Sequence, residues 1–451
     1  MYDVSLSRSR PAFVSLHQRF LSGETTPRDY MESVLEALSE REPALRAFVY
    51  LDPDLCRKAA DESAARYRAG RPLGVLDGCP VGIKDIIETR DMPTGCGSPA
   101  FAGQQTERDA ACVLALREGG AIPVGKTVTT EFAIGFSGPT VNAHDPRRTP
   151  GGSSSGSAAA VGAGLIPLAL GTQTQGSVLR PASYNGCIGF KGTHGLLPLG
   201  GVHPLSDSHD HLGLFANSFD DLWAAITLIA SFGSPNHPGL GDAASAAPAA
   251  LRPRRLIRLY LKGWSEVDDA HKAVVEAQFD ALAGRGVEIL SAKTDARIAA
   301  LEELLDRDAA SSLDMVAYDM RFPYLGYIER FGDVIGERIH GLLARSRELT
   351  PGDYDALLMK RVAARQLVTQ VMTATGADAY IMPAASGPAP EGFVFTGSRT
   401  YLGYWSWLGF PAVSVPVMQA DAMPWGLQIA GAAHMDTKIC ALARWVFEGA
   451  A

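Results

Sequence analysis

Between Gly151 and Pro181 the chain reads GGSSSGSAAAVGAGLIPLALGTQTQGSVLRP, and this run restricts the fold more than any other. Two serine groups, Ser153-Ser154-Ser155 and Ser177, are joined only by small and apolar residues. An exposed Gly/Ser linker would not carry Leu165-Ile166-Pro167-Leu168-Ala169-Leu170, whereas a strand delivering a serine to a buried site would. The chain must therefore build a core large enough to bury this run. With 451 residues, 46% of them hydrophobic and 20% charged, it has the material for one.

Around that run, strand and helix signals alternate. Thr26-Pro27 ahead of Met31, Val34, Leu35 and Leu38 predicts an N-capped helix, and a second follows over 54–69. Gly78 to Asp85 places a short apolar strand directly before Lys84, and a lysine at the end of a buried strand needs a reason. A helix over 107–119, strands at 121–126 and 165–170, a helix opening near Ser177, a strand at 188–191 and a helix over 220–230 continue the rhythm. The Pro/Gly/Ala-rich segment 235–254 marks an excursion or soft boundary. Beyond it come a strand at 255–260 and helical signals over 268–284 and 296–375, broken near Arg321-Phe322-Pro323 and Thr350-Pro351-Gly352. Strands at 379–382, 412–416 and 425–429 and a helix over 436–449 close the chain. This pattern predicts an α/β fold with a mixed, largely parallel twisted sheet covered by helices on both faces.

Composition removes several function classes. The net charge is −8 with no basic block, which argues against nucleic acid as a partner. The N-terminus MYDVSLSRSRPAF lacks a signal-peptide pattern, and no window reaches the roughly 18 apolar residues of a membrane span. Cytoplasmic residence without membrane attachment is the expectation. Cys56, Cys79, Cys96, Cys112, Cys187 and Cys440 show no CxxC spacing, so they read as reduced, mostly buried side chains. His203, His209 and His211 around Asp210 could suggest a metal site, but the two loop histidines have no third ligand at metal-site spacing, and no metal is expected.

Two familiar motifs mislead. Gly120 to Thr127 satisfies G-x-x-x-x-G-K-T, but a helix precedes it and its interior is apolar with a proline, unlike a phosphate-cradling loop. Gly152 to Gly156 satisfies G-x-S-x-G, but the residues leading in, HDPRRTP, cannot form the central strand that a nucleophile elbow requires.

Four other motifs, in order, carry a resemblance over most of the chain. They are Val81-Gly82-Ile83-Lys84-Asp85, Pro150-Gly151-Gly152-Ser153-Ser154-Ser155-Gly156-Ser157, Leu168 to Ser177, and Pro424-Trp425-Gly426-Leu427-Gln428. The chain resembles amidase signature family hydrolases, closest in motifs to malonamidase and related bacterial amidases. The resemblance implies one domain over 1–451: N-terminal helices at 1–70, a catalytic core at 71–234, a variable, mostly helical substrate-side region at 235–375, and C-terminal strands and helix at 376–451. It also implies a cofactor-independent Ser-Ser-Lys triad in which Ser177 attacks the carbonyl, Ser153 relays its proton and Lys84 is the terminal base. Burial would keep Lys84 partly neutral. In relatives a cis peptide precedes the relay serine, here Gly152–Ser153. The backbone N–H groups of Thr174, Gln175, Gly176 and Ser177 would form the oxyanion hole.

Two departures bear on substrate. The family usually has glycine where Gln175 stands and often aspartate where Gln173 stands, so Gln175 is a candidate selector. Arg180 occupies the position that contacts a substrate carboxylate in malonamidase-like enzymes, and pairing with a structural acid such as Asp85 is an equal alternative. The aromatic group Phe393, Phe395, Tyr401, Tyr404, Trp405, Trp407 and Phe410 reads either as core or as the wall of an apolar pocket, with Tyr401 and Trp405 as substrate contacts. A second group, Tyr318, Phe322, Tyr324 and Tyr327, adds to it. The expected partner is a small amide or carbamate with an apolar or aryl group, such as an anilide, aryl ester or urethane. A malonamate-like acid and the glutaminase subunit of a tRNA-dependent amidotransferase are the alternatives. Monomer and homodimer both remain open.

Overall fold

The computed structural model describes residues 11–233, 237–240 and 246–449. The first ten residues of the signal-peptide reading and part of the 235–254 boundary lie outside the described residues. Eleven strands form one sheet: β1 Phe48–Leu51, β2 Pro80–Lys84, β3 Ile122–Thr127, β4 Leu168–Gln173, β5 Ile188–Lys191, β6 His211–Ala216, β7 Arg255–Arg258, β8 Glu288–Leu290, β9 Ala379–Pro383, β10 Ala412–Ala420 and β11 Met423–Ala430. Their order is β1-β3-β2-β4-β6-β5-β10-β11-β9-β7-β8.

The mixed α/β architecture is the predicted one, but its pairing is less parallel than predicted. β2 runs parallel to β3 and β4, and β7 to β8 and β9, while every other neighbouring pair is antiparallel. Parallel neighbours need a crossover, as helix Ala111–Glu118 provides between β2 and β3. β10 and β11 instead join through Asp421-Ala422, whose φ values of 52° and 56° make a tight hairpin. Strands β1, β6 and β8 and helices Ser155–Gly162 and Gly403–Leu408 were not among the predicted elements.

Alternation along β4 sets the layers. Leu168 and Leu170 pack in one core with Leu212 and Leu214 of β6 and with Leu222 and Ile226 of helix Phe219–Ala230. Ala169 faces the opposite core, with Phe215, helix Pro27–Leu45 through Met31 and Val34, and helix Ser155–Gly162 through Ala158 and Val161. Every residue of helix Ser155–Gly162 is buried. A Cβ at Gly156 would lie 2.1 Å from Ala47 O and 2.4 Å from Val128 N, so only glycine lets this helix press against that backbone. The serine run thus crosses the interior as a buried helix followed by β4, which fixes Ser153 at one end and Ser177 at the other.

Candidate active site

Lys84 ends β2, flanked in the sheet by β3 and β4. It is fully buried. Its Nζ donates to Ser153 Oγ at 2.8 Å and to Thr172 Oγ1, from β4, at 2.7 Å. Burial lowers its pKa to about 7, partly offset by the charge of Asp210 and by Cys96. The Gly152–Ser153 peptide is cis, as the resemblance implies. Thr172 lies inside the Leu168 to Ser177 motif, but nothing in the motif gives it a role; the pairing of β2 with β4 brings it to the lysine.

Ser153 and Ser177 line the same cavity, of about 310 Å³. Ser177 follows β4 in a short turn before helix Leu179–Asn185. Gln173 takes the place of the familiar aspartate: its Oε1 accepts from Val178 N and Leu179 N, both at 3.0 Å, and its Nε2 donates to Ser406 Oγ at 3.1 Å. Among the described residues nothing accepts from the backbone N–H groups of Gln175, Gly176 and Ser177. Thr174 and Gln175 also line the cavity, and Thr174 Oγ1 donates to Asp210 Oδ1 at 2.6 Å. Burial raises the Asp210 pKa to about 6, and bonds from Thr174, Leu205 N and Ser206 N pull it back.

The cavity carries three arginines, Arg180, Arg338 and Arg399, and no carboxylate among its described lining residues. Arg180 does not pair with Asp85. Asp85 faces Lys126 at 3.5 Å instead, and Arg180 gives Nη2 to Gly152 O (2.6 Å) and Thr396 Oγ1 (3.1 Å) and Nη1 to Gly397 O (2.9 Å) and Ser398 O (3.2 Å), while its buried Nε has no partner among the described residues. A structural role in holding the segment before Ser153 against residues 396–398 thus replaces the expected acid pair. Burial lowers the pKa of all three guanidinium groups, that of Arg180 to about 10; Arg399 and Arg338 add to its depression, and Arg338 adds to that of Arg399. Arg338 and Arg399 escaped the sequence reading because one sits on helix Glu337–Arg347 and the other in the 396–402 loop, and neither belongs to a motif.

Several expected residues fall elsewhere. Tyr401 and Trp405, read as substrate contacts, are 1% and 0% exposed and do not line the cavity. Trp405 packs on Tyr380, with ring centroids 5.5 Å apart, and its Nε1 donates to Met382 Sδ at 3.3 Å. Of that aromatic group only Phe395 reaches the cavity. Tyr324 and Tyr327 pack against Phe132, and Tyr318 stacks on Tyr354. Trp405→Ala is accordingly expected to cost about 3–5 kcal/mol of stability. A raised KM at unchanged unfolding temperature would instead return the indole to the substrate wall.

The rejected motifs have structural explanations. Ile122 to Thr127 is strand β3, and Lys126 is buried with its Nζ on Ile87 O (2.8 Å) and Thr94 Oγ1 (2.7 Å). Ser154 Oγ accepts from Thr172 N at 3.2 Å, tying the helix start to β4. Among the described residues no group of three or more His, Cys, Asp or Glu side chains is arranged to hold a metal ion, and His203 lies beside Tyr327 while His211 bonds His209 O. All six cysteines are buried, and none of them forms a disulfide among the described residues. No helix among the described residues is long and apolar enough to cross a membrane.

The sheet thus sets a buried lysine beside one serine, with a second serine on the same cavity. The family model for amidases matches residues 29–440, and the chain belongs to that family, whose members hydrolyse amide C–N bonds. It is 32% identical to a glutamyl-tRNA(Gln) amidotransferase subunit of Symbiobacterium thermophilum, over 96% of this chain and 95% of that protein. Among solved structures it is similar to an amidase with a TM-score of 0.84 at 28% identity, covering 96% of this chain and 99% of the other. It is also similar to the peptide amidase of Stenotrophomonas maltophilia, with a TM-score of 0.80 at 26% identity over 98% and 97% of the two chains.

Proposed function

We propose that this amidase cleaves a small carboxylate-bearing amide through an acyl-enzyme on Ser177. The observation that carries the mechanism is the 2.8 Å contact between a fully buried Lys84 and Ser153 on the cavity that also holds Ser177. A neutral Lys84 accepts the Ser153 proton as Ser153 accepts that of Ser177, and Ser177 Oγ attacks the carbonyl carbon. The free N–H groups of Gln175, Gly176 and Ser177 receive the oxyanion. Ser153 then protonates the departing nitrogen as the C–N bond breaks, and water repeats the sequence on the ester to release the acid.

The arginines support the acidic substrate. Arg180 gives both Nη groups to backbone carbonyls, which leaves Arg338 and Arg399 with the freer guanidinium ends to meet an anion, and no acid among the described lining residues competes. The apolar or aryl substrate expected from the sequence loses support because Tyr401 and Trp405 are core residues. Replacing Arg338 or Arg399 with methionine is expected to raise KM for malonamate about 10- to 100-fold, the scale of one charge-assisted hydrogen bond, and to leave KM for propionamide nearly unchanged. Equal effects on both substrates would overturn the assignment.

The name of the Symbiobacterium relative favours a second reading, a glutaminase component of a tRNA-dependent amidotransferase. Glutamine also presents a carboxylate, so the arginines suit it too. Malonamate turnover by the isolated chain, with none of glutamine, excludes that reading.

A further inference from the structure

Gln175, on the turn that carries Ser177, is the only residue of the described cavity lining with a side-chain carbonyl. The other polar side chains there are hydroxyls or guanidinium groups, so the amide's orientation decides whether the cavity holds a dedicated acceptor. A chain of hydrogen bonds running away from the cavity fixes that orientation.

The chain begins at Asp319, the last residue of helix Ala296–Asp319. Its carboxylate accepts from Ser206 Oγ (2.6 Å), Ser208 Oγ (2.5 Å) and Tyr354 Oη (2.7 Å). Each serine has one proton, and both are spent on Asp319. His209 Nδ1, 2.7 Å from Ser208 Oγ and 3.3 Å from Ser206 Oγ, must therefore be an N–H donor. Burial holds this imidazole well below its ordinary pKa, so it carries a single proton and Nε2 is an acceptor. Ser312 Oγ, 3.1 Å away, gives its proton to Nε2. Having done so, Ser312 can only accept across its 2.7 Å contact with Gln175, which must present its NH₂ end. Gln175 Oε1 is thereby turned away from the network, and no described residue donates to it.

We infer that Gln175 Oε1 accepts the N–H of the scissile amide, making this residue a selector for amides over esters of the same acid. The inference rests on the acyl-enzyme reading above. Among the groups flanking the reacting carbonyl, only the amide nitrogen carries a proton to donate, and an ester oxygen in its place would face Oε1 lone pair to lone pair. Ser312, His209 and Asp319 are positioning residues: they touch no substrate and act through the orientation of one amide.

The test compares kcat/KM for malonamate and monomethyl malonate in the full-length wild type, Gln175→Leu, Ser312→Ala and Ser312→Thr. Taking the amide-to-ester ratio within each variant cancels any inactive fraction, so a purely structural defect leaves it unchanged. The ratio is expected to fall about 10- to 100-fold in Gln175→Leu, by a smaller factor in Ser312→Ala, and to recover in Ser312→Thr. Labelling of Ser177 by a fluorophosphonate reports the nucleophile independently of either substrate. If wild type is labelled but all variants share its ratio, or wild type cleaves only the ester, the selector is overturned. If wild type is not labelled, it is the acyl-enzyme reading that fails.

Discussion

Ser177→Ala is expected to lower amide turnover by about 10⁴-fold or more, the scale seen when a serine nucleophile is removed, with almost no loss of stability. Ser177 is 8% exposed, and its hydroxyl is not engaged by any described side chain, so its removal leaves no orphaned partner. The change should stay within about 1 kcal/mol in urea unfolding. Mass spectrometry of the intact chain after fluorophosphonate treatment should show an adduct on wild type and none on the variant. Turnover retained by Ser177→Ala would assign the nucleophile to another residue, with Ser153 the first to examine.

The second large effect concerns Lys84, where activity and stability are expected to move in opposite directions. The base must be neutral, so kcat/KM should rise with pH through about 7, where burial places the Lys84 pKa, and level off above it. Stability gains from the same loss of charge, over a higher pH range. Lys84 is protonated in the unfolded chain up to its ordinary 10.5 but only to about 7 when folded. The folded state therefore bears the full cost of a buried cation below pH 7, and that cost disappears as pH climbs toward 10.5. At about 1.4 kcal/mol per pH unit the cost is roughly 5 kcal/mol. Lys84→Met should abolish turnover yet be more stable than wild type at pH 6, by less than that cost because Ser153 and Thr172 lose a partner. The advantage should shrink by pH 10. Lys191, also buried with a pKa lowered to about 7, bends both curves equally, so the difference between them isolates Lys84. A Lys84→Met chain less stable than wild type at pH 6 would mean that this lysine is held for packing rather than chemistry.

Legibility in the sequence followed the range of each interaction. The strand before Lys84 and the serine run show themselves through contiguous small and apolar residues, because burying a backbone segment constrains every residue along it. The order of the strands leaves no such trace. β6 opens on His211 and contains Gly213, which hid a strand fully buried between β4 and β5. Arg180 was visible as a charged residue out of place in a buried run, but its partners, the carbonyls of Gly152, Gly397 and Ser398, have no sequence signature. Tyr401 and Trp405 were misread as substrate contacts for a related reason: an aromatic side chain looks the same in sequence whether it faces a core or a cavity.

By itself the sequence determined the α/β class, the buried serine run and the resemblance that singles out Lys84, Ser153 and Ser177. Those features rest on local spacing and on apolar periodicity, which the chain carries wherever it goes. Only the tertiary structure decided that Lys84 touches Ser153, that Arg338 and Arg399 face the same cavity, and that Asp319 orients Gln175 through Ser208, His209 and Ser312. Each of these depends on side chains far apart in sequence being brought together, and their distances and protonation are set by burial.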